Sequence, residues 1–439
     1  MAKGRREKKT RGSSAALGWA LIALVLIAIA LGAFGVWKGA AYWREKALAQ
    51  PETEETLQKE NPAQTAQEQP TVQPEEKPLP EQEAEPETQP EPEPERLTLM
   101  ALGDNLIHNT IYWSAELDGG GYDFTPFYEA IRPTVESYDV ACINQETVLV
   151  GDPALYGNYP AFGTPEEVGD ALAGAGFDVI TQATNHCYDK GDTGILSSIS
   201  FWRENYPEIT LLGIHDSEED AQALRVVEKN GIRVAMLNYT YGLNYGAPTN
   251  RYMVDTLSSR DEIGAEIREA KTQTDFVIVF VHWGEEGSFK PTDSQKSWAQ
   301  FFADQGVGLV VGSHPHVLQG LERLTGTGGN EMPVFYSLGN FFCHQVDEEN
   351  MLGGMASVTL ERGEDGVVRL TECLLKPTIN VIFRHTDDEY FDYAPMLLED
   401  YTEEIAARHR FEGCTTEYMW SLYQSATGAS DREPIDALA

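Results

Sequence analysis

Three histidines closely follow two apolar runs of the sequence, and their side chains could hold a metal ion. His282 comes after Val277–Val281, while His314 and His316 come shortly after Val307–Val311. Unbroken runs of β-branched and aromatic residues are typical of strands that are buried on both faces. In open α/β sheets, ligands bind at the carboxyl ends of such strands. The spacing therefore predicts that imidazoles, which suit transition metals, meet at one sheet edge.

The segment between the two runs is predicted to be a helix. Thr292 and Gln295 have the spacing of a capping box, which marks a helix start, and the helical pattern continues to about Asp304. A strand, a helical crossover and a second strand form a unit whose two strands run parallel. Both strands would then deliver their histidines to the same edge.

Earlier strands are predicted to end in the same kinds of residue. Apolar runs are followed by Asp104, by Glu146, and by the pair Asn185 and His186. Taken singly, each could be a turn or a helix cap, but random loops would supply Ser, Gly and Lys as readily. A ligand set of imidazole, carboxylate and amide without cysteine suits Zn²⁺, Mn²⁺ or Fe. These donors are too many for one tetrahedral ion and could serve two ions about 4 Å apart, bridged by a carboxylate.

Strands and helices alternate along the chain from Leu97 onwards, which predicts an α/β fold with largely parallel strands. Helices are predicted at Pro126–Ser137 and after a second capping-box pattern at Thr164 and Glu167. Two alternating runs that are separated by Gly363–Gly366 predict a hairpin.

Charge and cysteine content exclude several classes of protein. The 439-residue chain has a formal net charge of −38, and nucleic-acid binding needs a basic surface. The five cysteines are few and scattered, and no Cys-x-x-Cys occurs. This pattern argues against a disulfide scaffold, a zinc finger and a thioredoxin-type site.

The N-terminal residues are predicted to anchor the chain in a membrane. Residues 1–14 are basic, and Ala15–Trp37 carries no charge over a length that would form about 35 Å of helix. The basic flank favours a cytoplasmic N-terminus and an extracytoplasmic remainder. A cleaved signal peptide is the alternative, because Ala47-Leu48-Ala49 has a cleavage-like pattern. That pattern lies well past the apolar run, however, and the run is longer than a usual signal core.

Residues 38–95 are predicted to form a disordered stalk. Beyond about residue 50 they are almost all Glu, Pro, Gln and Thr, with hardly any large apolar side chain. Such a segment cannot offset the entropy cost of ordering, and its charge keeps it extended. Binding of a cationic wall component or a partner is the alternative to a simple spacer.

Six motifs, in this order, resemble those of the CapA family, the bacterial poly-γ-glutamate capsule biosynthesis proteins with a metallophosphatase-like domain. They are GDNLIH (103–108), NQETVL (144–149), TNHCYDKGDTGI (184–195), HWGEE (282–286), SHPHVLQGLE (313–322) and YSLGNFF (336–342). The resemblance covers about Leu97 to Leu375 and implies a sandwich of two β-sheets flanked by helices. Residues 96–385 are expected to form this domain, with 386–439 as an acidic C-terminal extension.

The resemblance also implies roles for individual residues. The implied ligands of one or two divalent ions are Asp104, Glu146, Asn185, His186, His282 and His316. The implied catalytic groups are His314, Asp189 and Glu285, and the implied substrate contacts are Asn340 and His108. The sequence departs from the phosphatase pattern in two places. No histidine lies two residues beyond Asp104, and the second motif has Glu in place of Asp.

Together these features favour a membrane-anchored, extracytoplasmic protein that acts in synthesis, export or anchoring of an anionic polymer. By resemblance the polymer is poly-γ-glutamate and the partners are subunits of a membrane synthase. The chemistry would be metal-assisted hydrolysis or transfer at a phosphoryl or acyl centre. Two alternatives stay open: a polymer-binding or assembly subunit without activity of its own, and a plain surface phosphoesterase.

Overall fold

The computed structural model describes residues 95–383 and 391–439. The strands in these residues are β1 (Arg96–Asn105), β2 (Val140–Gln145), β3 (Leu149–Val150), β4 (Thr164–Pro165), β5 (Val179–Thr181), β6 (Thr210–Leu212), β7 (Val226–Lys229), β8 (Ile232–Thr240), β9 (Phe276–His282), β10 (Leu309–Ser313), β11 (Leu318–Thr325), β12 (Glu331–Leu338), β13 (Asn340–Phe342), β14 (Leu352–Arg362), β15 (Val368–Ile379), β16 (Met396–Leu397) and β17 (Ile435–Asp436). The α-helices are α1 (Asn109–Ser114), α2 (Thr125–Tyr128), α3 (Arg132–Val135), α4 (Glu167–Ala175), α5 (Gly191–Asn205), α6 (Glu218–Gln222), α7 (Arg260–Gln273), α8 (Asp293–Gln305), α9 (Glu403–Ala406) and α10 (Thr416–Thr427).

The predicted membrane helix at Ala15–Trp37 lies outside the described residues, as does the predicted stalk up to residue 94. Within residues 95–383 and 391–439, no helix has the length and apolar character needed to cross a membrane.

Two mixed sheets form the centre of the fold. The larger sheet has the strand order β16-β15-β14-β1-β2-β5-β6, with β13 paired to β1 and β17 paired to β15. The smaller sheet has the order β11-β12-β10-β9-β8-β7. Each sheet contains a block of parallel strands, β1-β2-β5-β6 in one and β12-β10-β9-β8 in the other. The α/β architecture predicted from the sequence is therefore confirmed, with antiparallel strands added at the edges.

Apolar residues from both sheets are buried together in one core cluster. Leu99 of β1 shares this cluster with Met236 of β8, Phe280 of β9 and Val311 of β10, all at most 5% exposed. The alternate residues of the smaller sheet face the other way, towards helices α7 and α8. Since both faces of these strands are covered, unbroken apolar runs are what the fold requires.

The helix between β9 and β10 begins as its sequence predicts. Thr292 Oγ1 accepts a hydrogen bond from the Gln295 backbone N–H at 3.2 Å, and Gln295 Oε1 accepts one from the Thr292 N–H at 2.9 Å. The second predicted capping box is wrong. Thr164 lies in strand β4, and its buried hydroxyl bonds that of Thr147 at 2.7 Å, so α4 begins without a side-chain cap.

The helix predicted at Pro126–Ser137 is two short helices, α2 and α3. Pro133 occupies the first turn of α3, where its missing N–H costs least. A proline there favours a new helix start over a continuous helix.

The C-terminal residues differ from the acidic extension expected after residue 385. Strands β16 and β17 both pair with β15 of the larger sheet. Met419 and Tyr423 of α10 are fully buried, and the Tyr423 hydroxyl donates to the Leu375 carbonyl at 3.0 Å. Burial of apolar residues at helical spacing outweighs the effect of the segment's net charge. Residues 391–439 are therefore part of the same fold.

The contacts of His215, which follows β6, predict that the stability of the fold depends on pH. Its Nε2 lies 2.8 Å from Asp255 Oδ2, and its Nδ1 lies 3.5 Å from Asp220 Oδ2. Burial alone would lower the pKa of His215, but the two carboxylates outweigh burial and raise it from 6.5 to about 9. A raised histidine pKa stabilises the fold below the unfolded value of 6.5, and this contribution is lost as pH rises through about 9.

We therefore expect the free energy of unfolding to fall by about 3 kcal/mol between pH 6 and pH 10 on account of His215. Urea unfolding of the wild type and of His215→Gln, both with chelator present, measures this. The variant should be less stable at pH 6, and the difference between the two proteins should shrink towards pH 10. A difference that does not change with pH would contradict the prediction.

Candidate metal centre

Strand pairing brings the predicted ligands to one edge of both sheets. In the larger sheet, Asp104 of β1 is in register with Asn144 of β2 and with Asn340 of β13. In the smaller sheet, His282 of β9 is in register with Ser313 of β10. His282 Nδ1 lies 3.9 Å from Asp104 Oδ1, so the carboxyl ends of the two parallel blocks meet, which is where the sequence predicts a ligand site.

Glu146, directly after β2, is a buried carboxylate without a hydrogen-bond donor. Its side chain is fully buried, and neither oxygen receives a hydrogen bond from any described residue. Its Oε1 lies 3.6 Å from His282 Nε2 and 3.7 Å from His316 Nε2. Burial raises the pKa of Glu146 well above 4.5; nearby Asp104 raises it further, although His316 opposes this. A carboxylate in such a place is costly unless a cation accompanies it.

His316 is held by two partners on one side of its ring. Its Nδ1 lies 3.1 Å from Asp104 Oδ2 and 3.0 Å from Asn340 Oδ1. Both are acceptors, so Nδ1 carries the proton and Nε2 faces Glu146. Burial would lower the pKa of His316, but Glu146 and then Asp104 outweigh it and raise it to about 10 in the metal-free site. Asp104 also accepts hydrogen bonds from Asn144 Nδ2 at 2.8 Å and from the His314 N–H at 3.2 Å.

His282 is fully buried and fixed at both nitrogens. Ser313 Oγ lies 2.9 Å from Nδ1, and Asn185 Oδ1 lies 2.8 Å from Nε2. Burial, with nearby His314 and His316, lowers the pKa of His282 well below 6.5, which keeps the ring neutral. A neutral imidazole is the form that binds metal. The Asn185 amide nitrogen has no hydrogen-bond partner among the described residues.

The His-Pro-His turn after β10 places both of its imidazoles in the site. His314 and His316 have φ values of 96° and 58°, in the left-handed region that residues other than glycine rarely adopt. Strain of this kind is concentrated at functional sites. The His314 ring lies 4.7 Å from that of His282, and its Nδ1 has no hydrogen-bond partner among the described residues. Burial lowers the pKa of His314 to about 3.

These side chains form three overlapping groups whose ligand atoms lie within 4.8 Å of one another. The groups are Asp104, Glu146 and His316; Glu146, His282 and His314; and Glu286, His314 and His316. Glu146 belongs to the first two groups, the position that a bridging carboxylate would take. The orphaned carboxylate and imidazole atoms, together with a donor set of oxygen and nitrogen, fit one or two divalent ions of the Mn²⁺ or Zn²⁺ kind.

The predicted ligand His186 has a different setting. Its Nδ1 lies 2.7 Å from Asp189 Oδ2, which also accepts the Phe162 N–H at 2.8 Å. The Phe162 ring packs edge-on against His186 at 4.7 Å, and Asn244 Nδ2 lies 3.3 Å from its Nε2. The structure therefore pairs His186 with Asp189 and does not bring it into the three ligand groups.

The structure does not bring the predicted residues His108 and Glu285 into these groups. His108 Nδ1 accepts the His344 N–H at 3.2 Å, and burial lowers its pKa to about 4. Glu285 is exposed on the loop after β9, and it is Glu286 that comes near His314 and His316. The HWGEE motif gives two adjacent glutamates and no means of choosing between them. The contacts of Asn144 and Ser313 were likewise not predicted, since they depend on strand register.

A family model described as "Bacterial capsule synthesis protein PGA_cap" matches residues 98–345. A capsule biosynthesis protein CapA of Bacillus anthracis is 30% identical over 260 residues, which are 57% of this chain and 61% of that protein. A PGA biosynthesis protein CapA of Bacillus subtilis (strain 168) is 34% identical over 185 residues, which are 42% and 47% of the two chains.

Both matches span less than two thirds of those relatives' own lengths. Among solved structures, the NAD nucleotidase of Haemophilus influenzae aligns at 12% identity with a TM-score of 0.38, over 75% of this chain and 67% of that one. That score describes a remote likeness and nothing more.

Proposed function

The chain belongs to the PGA_cap family of bacterial capsule synthesis proteins, and from this premise we propose that it is a metal-dependent hydrolase or transferase of capsule polymer synthesis. The observation that supports the proposal best is that Glu146, a fully buried carboxylate, receives no hydrogen bond from any described residue and lies within 3.7 Å of two imidazoles. The residues around Glu146 fit a metallophosphatase-like centre. Asp104, Glu146, His282, His314 and His316 would hold one or two ions, with Asn185 beside them.

A bound divalent ion would activate a water molecule and neutralise a developing oxyanion. The residues of the chain would do the rest. Asp104 and Asn340 hold Nδ1 of His316, and Ser313 holds Nδ1 of His282, so both rings keep a fixed orientation. His186, oriented by Asp189, is the group we assign to proton transfer at the leaving atom.

The proposed substrate is an anionic polymer or its activated precursor, attacked at a phosphoryl or acyl centre. The printed names of the relatives concern capsule and PGA biosynthesis. A chain with a net charge of −38 would repel an anionic polymer, but bound cations would make the site locally positive. We further propose that the chain is anchored by Ala15–Trp37, that it works outside the cytoplasm, and that it assembles with membrane synthase subunits.

The test of the centre is metal content. The full chain, purified in detergent, is measured by plasma mass spectrometry with and without reconstitution in Mn²⁺ or Zn²⁺. One to two equivalents are expected. A protein that binds neither ion after reconstitution would overturn the proposal.

A second candidate function, a polymer-binding or assembly subunit, is favoured by one specific observation. Asp104 already has partners from the protein alone, namely Asn144, the His314 N–H and His316. A site whose first acidic group is satisfied this way could persist without an ion. The subunit hypothesis predicts polymer binding that chelator does not weaken.

Ser313 should tune metal affinity through His282. Replacing Ser313 by Ala removes the hydroxyl at 2.9 Å from Nδ1 and leaves Asn185, at 2.8 Å from Nε2, to orient the ring. Loss of such an orienting partner costs about ten- to a hundredfold in metal affinity. Titration calorimetry with Mn²⁺ measures this, and Ser421→Ala on the exposed side of α10 is the matched control. Equal affinities of the two variants would contradict the expected role.

A further inference from the structure

Glu286 lies on the solvent side of the proposed centre, in the loop after β9. Its carboxylate is within 4.8 Å of the ligand atoms of His314 and His316. Glu286 is exposed, whereas both histidines are 3% exposed and Glu146 is fully buried. The two histidines are therefore flanked by one buried and one exposed carboxylate.

The loop is tied to the His-Pro-His turn, which fixes where Glu286 lies. The Gly287 N–H donates to the Pro315 carbonyl at 2.8 Å, and Gln319 Nε2 donates to the Ser288 carbonyl at 2.7 Å. Gly284 and Gly287 have φ values of 102° and 71°, which favour glycine on both sides of the glutamate pair. The loop direction thus separates Glu286, beside the imidazoles, from Glu285.

His314 supplies an independent sign that a ligand belongs there. Its Nδ1 has no hydrogen-bond partner among the described residues, although the side chain is almost fully buried. The same histidine shares one donor group with Glu146 and His282, and another with Glu286 and His316. A buried imidazole nitrogen without a hydrogen-bond partner needs an explanation, and the two carboxylates grouped with His314 suit a bound cation.

The charge of Glu286 also reaches its neighbours. Burial lowers the pKa of His316, but Glu146 and Asp104 outweigh burial and raise it, and Glu286 raises it further. Burial raises the pKa of Tyr241, whose ring lies 4.7 Å from His314, and Glu286 raises it further. The charge of Glu286 therefore acts on two side chains of the site, His316 and Tyr241.

We propose that Glu286 is a further metal ligand, which binds a divalent ion from the open side of the centre together with His314 and His316. This inference rests on the metal centre proposed above. Glu286 would be the third carboxylate of the centre, after Asp104 and Glu146. The first motif has Leu106 at the position where the resemblance leads one to expect a histidine ligand, so the centre has one imidazole fewer than expected there. Because Glu286 is exposed, it is also the ligand that solvent or an incoming anionic group reaches first.

The test compares Glu286→Gln with Glu285→Gln in the full chain. The two changes remove the same charge from adjacent exposed positions, so general electrostatic and folding effects are matched. Mn²⁺ is titrated into each metal-free protein, and free Mn²⁺ is followed by its electron paramagnetic resonance signal. Glu286→Gln should lower the affinity for one of the bound Mn²⁺ ions by at least about tenfold. The Mn²⁺ affinity of Glu285→Gln should stay within about twofold of that of the wild type.

The outcomes separate this inference from the proposal on which it rests. A wild type that binds Mn²⁺, with a Glu286→Gln variant that binds it equally well, overturns the role of Glu286 and leaves the metal centre standing. An equal loss in both variants also overturns it, because long-range charge would then explain the effect. A wild type that binds neither Mn²⁺ nor Zn²⁺ overturns the centre itself and the inference with it.

Discussion

Replacing Glu146 by Gln is expected to abolish metal binding and, at the same time, to stabilise the metal-free protein. The metal loss should exceed about a hundredfold in affinity, because Glu146 belongs to two of the three ligand groups. The gain in stability follows from burial. A buried polar group without a hydrogen-bond donor costs about 1–3 kcal/mol, and a neutral amide of similar shape avoids the cost of a buried charge. The variant also loses the attraction between Glu146 and the His316 ring, but burial raises the pKa of Glu146 in spite of that attraction, so the cost of burial is the larger of the two.

The gain in stability of the metal-free Glu146→Gln variant should increase with pH. Because burial raises the pKa of Glu146 in the folded state, folding binds a proton that the unfolded chain releases above 4.5. Glu146 therefore destabilises the metal-free wild type increasingly as pH rises above 4.5. The variant has no such group, and its advantage should be larger at pH 7 than at pH 4.5.

Urea unfolding in the presence of chelator, at both pH values, measures the stability, and Mn²⁺ calorimetry measures the binding. Glu364→Gln, exposed in the hairpin between β14 and β15, is the control and should change neither. A Glu146→Gln variant that is less stable than the wild type without metal would show that the carboxylate is satisfied by the protein, and would sink the argument for an ion.

The double variant His282→Gln, His316→Gln is expected to eliminate function in the cell. Each imidazole lies less than 4 Å from Glu146, and between them they enter all three ligand groups. Glutamine keeps most of the side-chain volume and a hydrogen-bonding end, but it has no imidazole nitrogen for an ion. We expect capsule polymer per cell to fall at least about a hundredfold.

The measurement is polymer yield in a deletion strain of the host that carries either the wild type or the double variant. Immunoblots of whole cells must show equal amounts of the two proteins, so that loss of the variant by misfolding is excluded. Full rescue by the double variant would remove metal chemistry from the function. It would support the assembly-subunit hypothesis instead.

Much of the fold could be predicted from the sequence because its strands are buried on both faces. Runs such as Val277–Val281 and Val307–Val311 have one physical explanation, and their strands were found with bounds shifted by a residue or two. Thr164 shows where local pattern fails. Its hydroxyl is an adequate helix cap in isolation, but pairing of β3 with β4 and the bond to Thr147 take it into a strand.

The site could be predicted to the level of which strand ends carry its residues, and no further. Residue type and strand position put Asp104 and Glu146 at the end of one parallel block and His282 at the end of another, but the strand pattern does not show how the two sheets pack so that these ends meet. The distinction between Glu285 and Glu286 depends on the path of a loop held by Gly287 and Pro315. Whether His186 faces an ion or a carboxylate depends on Asp189, and no spacing rule reveals which contact forms.

The donors are divided between the two sheets. The larger sheet supplies the carboxylates Asp104 and Glu146, and the smaller sheet supplies all three imidazoles of the ligand groups. The group of Glu286, His314 and His316 comes from the smaller sheet alone, but both groups that contain Glu146 need the two sheets together, so a half-folded chain cannot complete the centre. A chain threaded through a membrane before folding, as the proposed topology requires, would arrive empty. The ion it acquires would then be set by the metals available where folding finishes, and not by those of the compartment where the chain is made.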